Sequence, residues 1–440
     1  MKELVSCLGI VLLLASCDRK TPEEYGKVTN SPIYYHNAVD KLTDVIIHDI
    51  FSPPVASRIY SYATLAGYEA MVPADERFQS MEGQFRDFSG VPRPEDGEEY
   101  CFPLASLKAF MIIARNQTFT VDKYDEFEKG FMADFKEAGV PSDVLSRSIE
   151  YGEAVGNHVL AYAKGDNYPQ TRGLRYTVKN EPGLWVPTPP QYGDAMEPYW
   201  MTIRPLVLDS SRQFTPPPPP LYNLDKSSLF WKELMEVYNI SKTKTEEQES
   251  MAWFWDDNAF VMNVQGHVMF ANKKMTPGGH WLAIAKTGLK NQNRSLVESV
   301  EAYFVVSTAL HEAFICSWEE KYRSEKIRPE TVINSEFDPD WAPYLQTPPF
   351  PEYTSGHSTI SAASAEALTG LLGDNFAFID STEYPYGHGV KSFPSFRQAA
   401  TECSYSRMNG GIHYRSGCEE GQAAGIRIGQ YVLEKTKTRK

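Results

Sequence analysis

Lys321 with Arg328-Pro329, then Ser355-Gly356-His357, then Ser406-Arg407 with His413 follow one another in the last third of this 440-residue chain. Together they supply three fixed cations, two imidazoles and a glycine at a helix start. Guanidinium and ammonium groups match the charge and the hydrogen-bond acceptors of a tetrahedral oxyanion. The first free N–H groups of a helix add donors at its positive dipole end, and Gly356 lets the backbone approach a ligand closely. Phosphate or vanadate is the kind of anion this set suits. Beside it, His357 can donate or accept a proton near neutral pH. His413, when neutral, is a good ligand for an electrophilic metal or phosphorus centre. Each motif alone also fits something plainer: a solvated basic helix end, a capped helix with an incidental histidine, a structural histidine. Their occurrence together carries the reading.

The elements that must position these residues are helical. The seven-residue spacing predicts Lys321 and Arg328 on one helix face about 10 Å apart. Pro329 disfavours helical geometry before it, which puts Arg328 at the helix end. The small residues from Thr359 to Ala365 read as a close-packed helix. Apolar residues at three-and-four spacing begin near Tyr35 and recur over residues 103–114, 121–138, 142–163, 228–238, 244–258, 279–287, 293–325, 358–372 and 421–434. Few segments alternate with period two, so the fold class is all-α. Residues 33–165 form a first helical half and 226–435 a second, which carries the oxyanion site. Between them, 166–225 is rich in proline, glycine and aromatics, and reads as an ordered belt across the surface.

These motifs resemble the superfamily of type 2 phosphatidic acid phosphatases and vanadium-dependent haloperoxidases, whose pattern is Lys-x6-Arg-Pro, Pro-Ser-Gly-His and Ser-Arg-x5-His-x3-Asp. Ser52-Pro53-Pro54-Val55-Ala56-Ser57-Arg58, the belt around Trp185, Pro277-Gly278-Gly279-His280-Trp281 and Trp318 extend the likeness to the haloperoxidase branch over roughly residues 35–435. The resemblance implies a helical bundle with vanadate as cofactor. His413 would bond the vanadium, with Lys321, Arg328, Arg407, Ser355 and the Gly356 N–H on its oxygens and His357 as acid/base. Trp318 and Phe350 would flank the halide side. Hydrogen peroxide and halide would be the substrates and a hypohalous-acid equivalent the product. The other branch implies a phosphatase acting on a phosphoester, with His413 forming a phosphohistidine and phosphate in the same cradle. A third class is an oxyanion-binding lipoprotein without catalysis. Two positions depart from the pattern: Thr354 replaces a proline, and Gly417 stands where the aspartate that orients the metal-side histidine is expected. Glu419 and Glu420 are the neighbouring carboxylates in sequence.

Hydrophobic content of 42% and charged content of 23% are those of an ordinary globular chain, and a net charge of −14 argues against a nucleic-acid partner. Residues 1–16 read as an export signal whose apolar run, Leu8 to Ala15, is too short to span a bilayer. Leu14-Ala15-Ser16-Cys17 resembles the bacterial lipoprotein signal, with lipidation at Cys17; ordinary secretory cleavage is the alternative. The expectation is an exported protein tethered at a bacterial membrane through residues 17–32, with its oligomeric state left open. Cys101, Cys316, Cys403 and Cys418 remain. A Cys403–Cys418 bridge would clamp the third motif, and free buried thiols fit equally well.

Overall fold

The computed structural model describes residues 19–440 apart from Phe260 and Gly266. The signal segment and Cys17 lie outside the described residues. The first helix, α1 (Pro22–Thr29), corrects the expectation of a flexible tether over the rest of 17–32. Thr21 and Glu24 form a reciprocal capping box there, and the buried Tyr25 ring sends its hydroxyl to Glu99 at 2.9 Å. A capped turn anchored by one aromatic is enough to hold an otherwise polar segment on the body.

The first half comprises α2 (Ile33–Asp49), α3 (Pro53–Met71), α4 (Phe102–Gln117), α5 (Asp125–Glu137) and α6 (Ser142–Lys164), followed by the single turn α7 (Tyr168–Thr171). The second comprises α8 (Leu229–Thr243), α9 (Glu246–Phe254), α10 (Pro277–Asn291), α11 (Leu296–Ser324), α12 (Pro329–Glu336), α13 (Gly356–Leu372), α14 (Phe396–Asn409) and α15 (Arg415–Lys435). The chain is thus mostly helical; among the described residues the strands are confined to two antiparallel hairpins, β1 (Val261–Gln265) with β2 (Val268–Asn272) and β3 (Phe378–Asp380) with β4 (Lys391–Phe393).

The 29-residue α11 is the axis of the molecule. Its start is fixed by a Ser295–Glu298 capping box. It is buried nearly end to end because α3 of the first half and α13 and α15 of the second pack on opposite sides. Burial on all sides is why α11 carries apolar residues around its whole circumference rather than along one stripe. α13 and α15 lie so close that a Cβ on Gly425 would sit 2.1 Å from the Thr359 carbonyl oxygen. The C-terminal residues return to the first half: Arg439 bridges to Phe78, and Thr438 donates to Glu301 at 2.6 Å.

The belt is ordered by its aromatics and by what it holds. Trp185 and Trp200 are buried, and the Trp185 backbone N–H donates to the Glu325 carbonyl at 2.7 Å. Tyr353 donates to the Pro217 carbonyl, and the Trp318 indole and Tyr322 hydroxyl both donate to the Met196 carbonyl. The belt therefore grips the segments that carry all but the third motif.

Candidate active site: a buried cationic cradle

The expectation that Lys321 and Arg328 share a helix is wrong in detail. α11 stops at Ser324, with Glu325 in the left-handed conformation, and Arg328 is the residue that opens α12. Pro329 is the first residue of a new helix, where its missing N–H costs nothing, rather than the end of an old one. The belt pins the intervening turn through the Leu184–Lys326 bridge and the Ile327 N–H donating to Gly183.

Lys321 is fully buried, and its ammonium donates to the carbonyls of Pro351, Glu352 and Thr354 at 3.0, 3.0 and 2.5 Å. It lies 4.9 Å from the Phe350 ring centroid. Burial, then Arg328, pushes its pKa well below the ordinary lysine value. Arg328 donates through Nε to the Phe350 carbonyl at 2.9 Å and through Nη1 to the Ile412 carbonyl at 2.7 Å. Burial lowers its pKa to about 10. Arg407, from the end of α14, donates through Nη1 to the Trp255 carbonyl at 2.5 Å.

Ser355 caps α13, accepting from the Ser358 N–H, while its own N–H donates to the Gly417 carbonyl at 2.9 Å. Gly356 begins the helix with its hydrogen-bearing face toward Trp318: an added Cβ would stand 3.4 Å from the indole. His357 follows. Burial, then the Arg407 cation, holds its pKa well below the usual value, against a hydrogen bond to the Asp256 backbone. Trp318 and Phe350 pack with ring centroids 5.1 Å apart at 50°, forming the aromatic wall beside Lys321.

His413 is held from both sides. Its Nδ1 faces the Glu352 carboxylate at 2.8 Å, and its Nε2 faces Arg328 Nη1 at 3.2 Å. Burial, then Arg328, pushes its pKa well down, so the ring is neutral with the proton on Nδ1 and the lone pair on Nε2. Glu352 is the residue sequence reasoning missed. Neither Glu419 nor Glu420 supplies the carboxylate; Glu419 pairs instead with Arg415. The one signal was that Glu352 is the sole acid in the segment leading into Ser355-Gly356-His357.

Arg328 Nη2, Arg407 Nε and His357 Nε2 are buried and have no hydrogen-bond partner among the described residues. Buried donors are almost always satisfied, so unsatisfied nitrogens within one interacting set mark a place for a ligand. Arg328, Lys321 and Lys326 all act on the buried Glu352 carboxylate, a clustering of positive charge that an anion would relieve. The residues thus fit an oxyanion with a coordinating imidazole on one side.

The second motif region flagged in sequence, around His280, braces this cradle. Trp255 stacks on the His280 ring at 4.6 Å while its carbonyl receives Arg407, and the Trp281 indole donates to Ser361 of α13 at 2.8 Å. Asp257, His280 and Glu383 are close enough to hold a metal ion. Yet Asp257 and Asp380 occupy the two ring nitrogens of His280 at 3.0 and 2.9 Å, which raises its pKa and leaves no lone pair for a metal. The four cysteines 101, 316, 403 and 418 are free and buried, so the Cys403–Cys418 clamp does not form.

A two-part helical bundle with two imidazoles in a buried cationic cradle defines an oxyanion enzyme of the phosphatase and haloperoxidase type. The comparisons with known proteins narrow it. Residues 301–439 match the family model of the VCPO second helical-bundle domain. The fold superposes on a bacterial vanadium-dependent iodoperoxidase with a TM-score of 0.88 and 42% identity, over 93% of this chain and 97% of that one. The holo and apo forms of a bacterial vanadium-dependent chloroperoxidase share the fold at TM-scores of 0.68 and 0.67, with 17% and 16% identity, over 95% and 88% of this chain and 96% and 95% of theirs. No curated protein matches. The chain belongs to the vanadium-dependent haloperoxidase family.

Proposed function

We propose that this protein uses vanadate to oxidise a halide, iodide foremost, with hydrogen peroxide: I⁻ + H2O2 + H⁺ → HOI + H2O. The supporting observation is the set of orphaned donors, Arg328 Nη2, Arg407 Nε and His357 Nε2, around the His413 ring. Iodide is chosen because the 42%-identical relative is an iodoperoxidase. When bound, vanadate supplies a Lewis-acid centre that polarises the peroxide oxygens without changing its own redox state. His413 Nε2 would be the ligand atom, and Arg328, Arg407, Ser355, Lys321 and the Gly356 N–H would hold the oxygens. His357 is neutral at pH 7 and is placed to take a proton from peroxide and return it to the oxygen that leaves as water. The apolar Trp318–Phe350 wall beside Lys321 suits a large, weakly hydrated halide.

The same residues support a second reading, phosphoester hydrolysis through a phosphohistidine, because Glu352 restores the carboxylate that a nucleophilic His413 needs. One experiment separates them. Halide oxidation with vanadate and peroxide is assayed beside phosphoester hydrolysis in vanadium-free buffer. His413→Ala should lose bound vanadium; His357→Ala should keep it and lose at least about a hundredfold in turnover, the scale of a general acid/base. Vanadium-independent hydrolysis with no iodide oxidation would overturn the haloperoxidase reading.

The same proposal places the protein outside the cytoplasm, lipid-anchored through Cys17, on the strength of Leu14-Ala15-Ser16-Cys17. α1 begins five residues further on, which makes the anchor-to-body connection short. Among the described residues no helix is long and apolar enough to cross a membrane. Labelled fatty acid should enter the wild type and not Cys17→Ala; no label in the wild type refutes the anchor.

A further inference from the structure

We infer that Glu352 is the positioning residue for His413, and that Gly417 is a glycine because the Glu352 carboxylate fills the space a side chain there would take. A Cβ on Gly417 would lie 2.1 Å from Glu352 Oε1 and 3.0 Å from its Cδ. The carboxylate belonging to residue 417 in the superfamily pattern has thus moved to another segment. Glu352 reaches His413 Nδ1 from the loop before α13 rather than from the first turn of α15.

The geometry makes Glu352 a hinge pin between the two motifs that hold the imidazoles. Its backbone N–H donates to the Lys326 carbonyl at 2.9 Å, and its own carbonyl receives Lys321 at 3.0 Å. Its Oε1 accepts from His413 Nδ1 at 2.8 Å and from the Tyr414 N–H at 3.2 Å. That double acceptance fixes both the tautomer and the tilt of the ring, leaving Nε2 aimed into the cradle. The Ser355 N–H donating to Gly417 O at 2.9 Å ties the same strip of chain together from the other side. Glu352 touches no reacting atom; it acts through His413.

The alternative role is a plain counter-charge for Lys321, Arg328 and Lys326, and it predicts the opposite behaviour toward anions. The inference rests on the vanadate reading, but its test separates the two. Vanadate and inorganic phosphate are each titrated into wild type, Glu352→Gln, Glu352→Asp and Gly417→Ala, following heat evolved and, for vanadate, the vanadium NMR signal. Phosphate senses the cations; vanadate senses the cations and the bond to His413. Under the positioning role, Glu352→Gln weakens vanadate about ten- to a hundredfold, the usual effect of removing an outer-shell partner of a metal-bound histidine. Phosphate binding should hold or tighten. Gly417→Ala, which displaces the carboxylate without removing it, should copy that pattern, and the double variant Glu352→Gly with Gly417→Asp should recover vanadate affinity. Vanadate and phosphate tightening together in Glu352→Gln would make Glu352 a counter-charge only and overturn the inference. Should the wild type bind phosphate but not vanadate, the vanadate reading fails; nitrogen NMR of His413 then decides the Glu352 role, with loss of the Nδ1–H hydrogen bond and a shifted ring signal expected in Glu352→Ala, which removes the acceptor, and an unchanged ring refuting it.

Discussion

In the first half, Arg58 is 5% exposed and all three guanidinium nitrogens have acceptors: Asp166 at 2.6 and 3.3 Å, Gln117 at 3.2 Å and the Ala163 carbonyl at 2.9 Å. Tyr62 and Tyr168 cover its faces. In the second half, Arg328 is 0% exposed, meets carbonyls and a histidine but no carboxylate, and leaves Nη2 without a partner among the described residues. The same side chain is buried in both places, once as a tie and once as a held-open receptor. Arg58 joins α3 to the end of α6 and asks nothing more. Arg328 keeps a donor and a charge in reserve, at a cost to stability that an arriving anion recovers.

Truncating the two arginines is the sharpest way to break this comparison. Arg58→Met leaves Asp166 buried and unpaired, and the expected loss is about 3–5 kcal/mol in the denaturant midpoint. Arg328→Met removes a buried charge that no carboxylate hydrogen-bonds, although Glu352 acts on it through space, and also two hydrogen bonds to carbonyls, effects of opposite sign, so the expected change is within about 1–2 kcal/mol. Equal, large losses in both variants would make Arg328 a structural residue.

Ligand binding should reverse the order. Phosphate or vanadate at a hundred times its dissociation constant should stabilise the wild type by about 2.7 kcal/mol. Arg328→Met and Arg407→Met should each weaken that binding by about 1.5–3 kcal/mol, the scale of a charge-assisted hydrogen bond. Arg58 replaced by Lys, which keeps the charge beside Asp166, should leave anion affinity unchanged. Calorimetry on the three folded variants checks the pattern; an equal effect at Arg58 would erase the distinction between the halves.

The difference between these arginines also marks what the sequence could and could not disclose. Helices with strong three-and-four patterning, such as α6 and α11, were legible to within a few residues. α12 and α14 were not: α12 is only eight residues long, and α14 is held by tertiary packing more than by an apolar stripe. The motifs named the cations and imidazoles, because charge and nucleophilicity belong to residue types. They could not name Glu352, because its partner lies 61 positions away and only the crossing of the loop over α15 brings them together. Nor could spacing show that Lys321 and Arg328 sit on separate helices: seven residues fit two helical turns as well as they fit a stop, a turn and a restart.

A buried carboxyl with no hydrogen-bonded cation offers the mirror of Arg328. Glu312, at the middle of α11, is 0% exposed; its Oε1 accepts from the N–H groups of Leu206 and Val207 at 2.6 and 2.9 Å, and Oε2 has no partner among the described residues. Burial raises its pKa to about 7. A carboxyl whose folded pKa lies above its unfolded value keeps its proton in the folded state between roughly pH 4.5 and 7, while the unfolded chain has released it. The sign follows: its contribution is favourable below that window and is lost as pH rises through it. Glu312→Gln keeps an acceptor for the two backbone donors and cannot ionise. At pH 8 it should therefore be more stable than wild type by about 1–3 kcal/mol, and the advantage should fade by pH 5. Unlike Arg328→Met, it should leave phosphate and vanadate affinity untouched, since the group faces the belt and not the cradle. Denaturant midpoints at the two pH values decide it: a difference between variant and wild type that does not change with pH would mean that Glu312 is already ionised in the fold, its charge carried by the two amides and by Arg86.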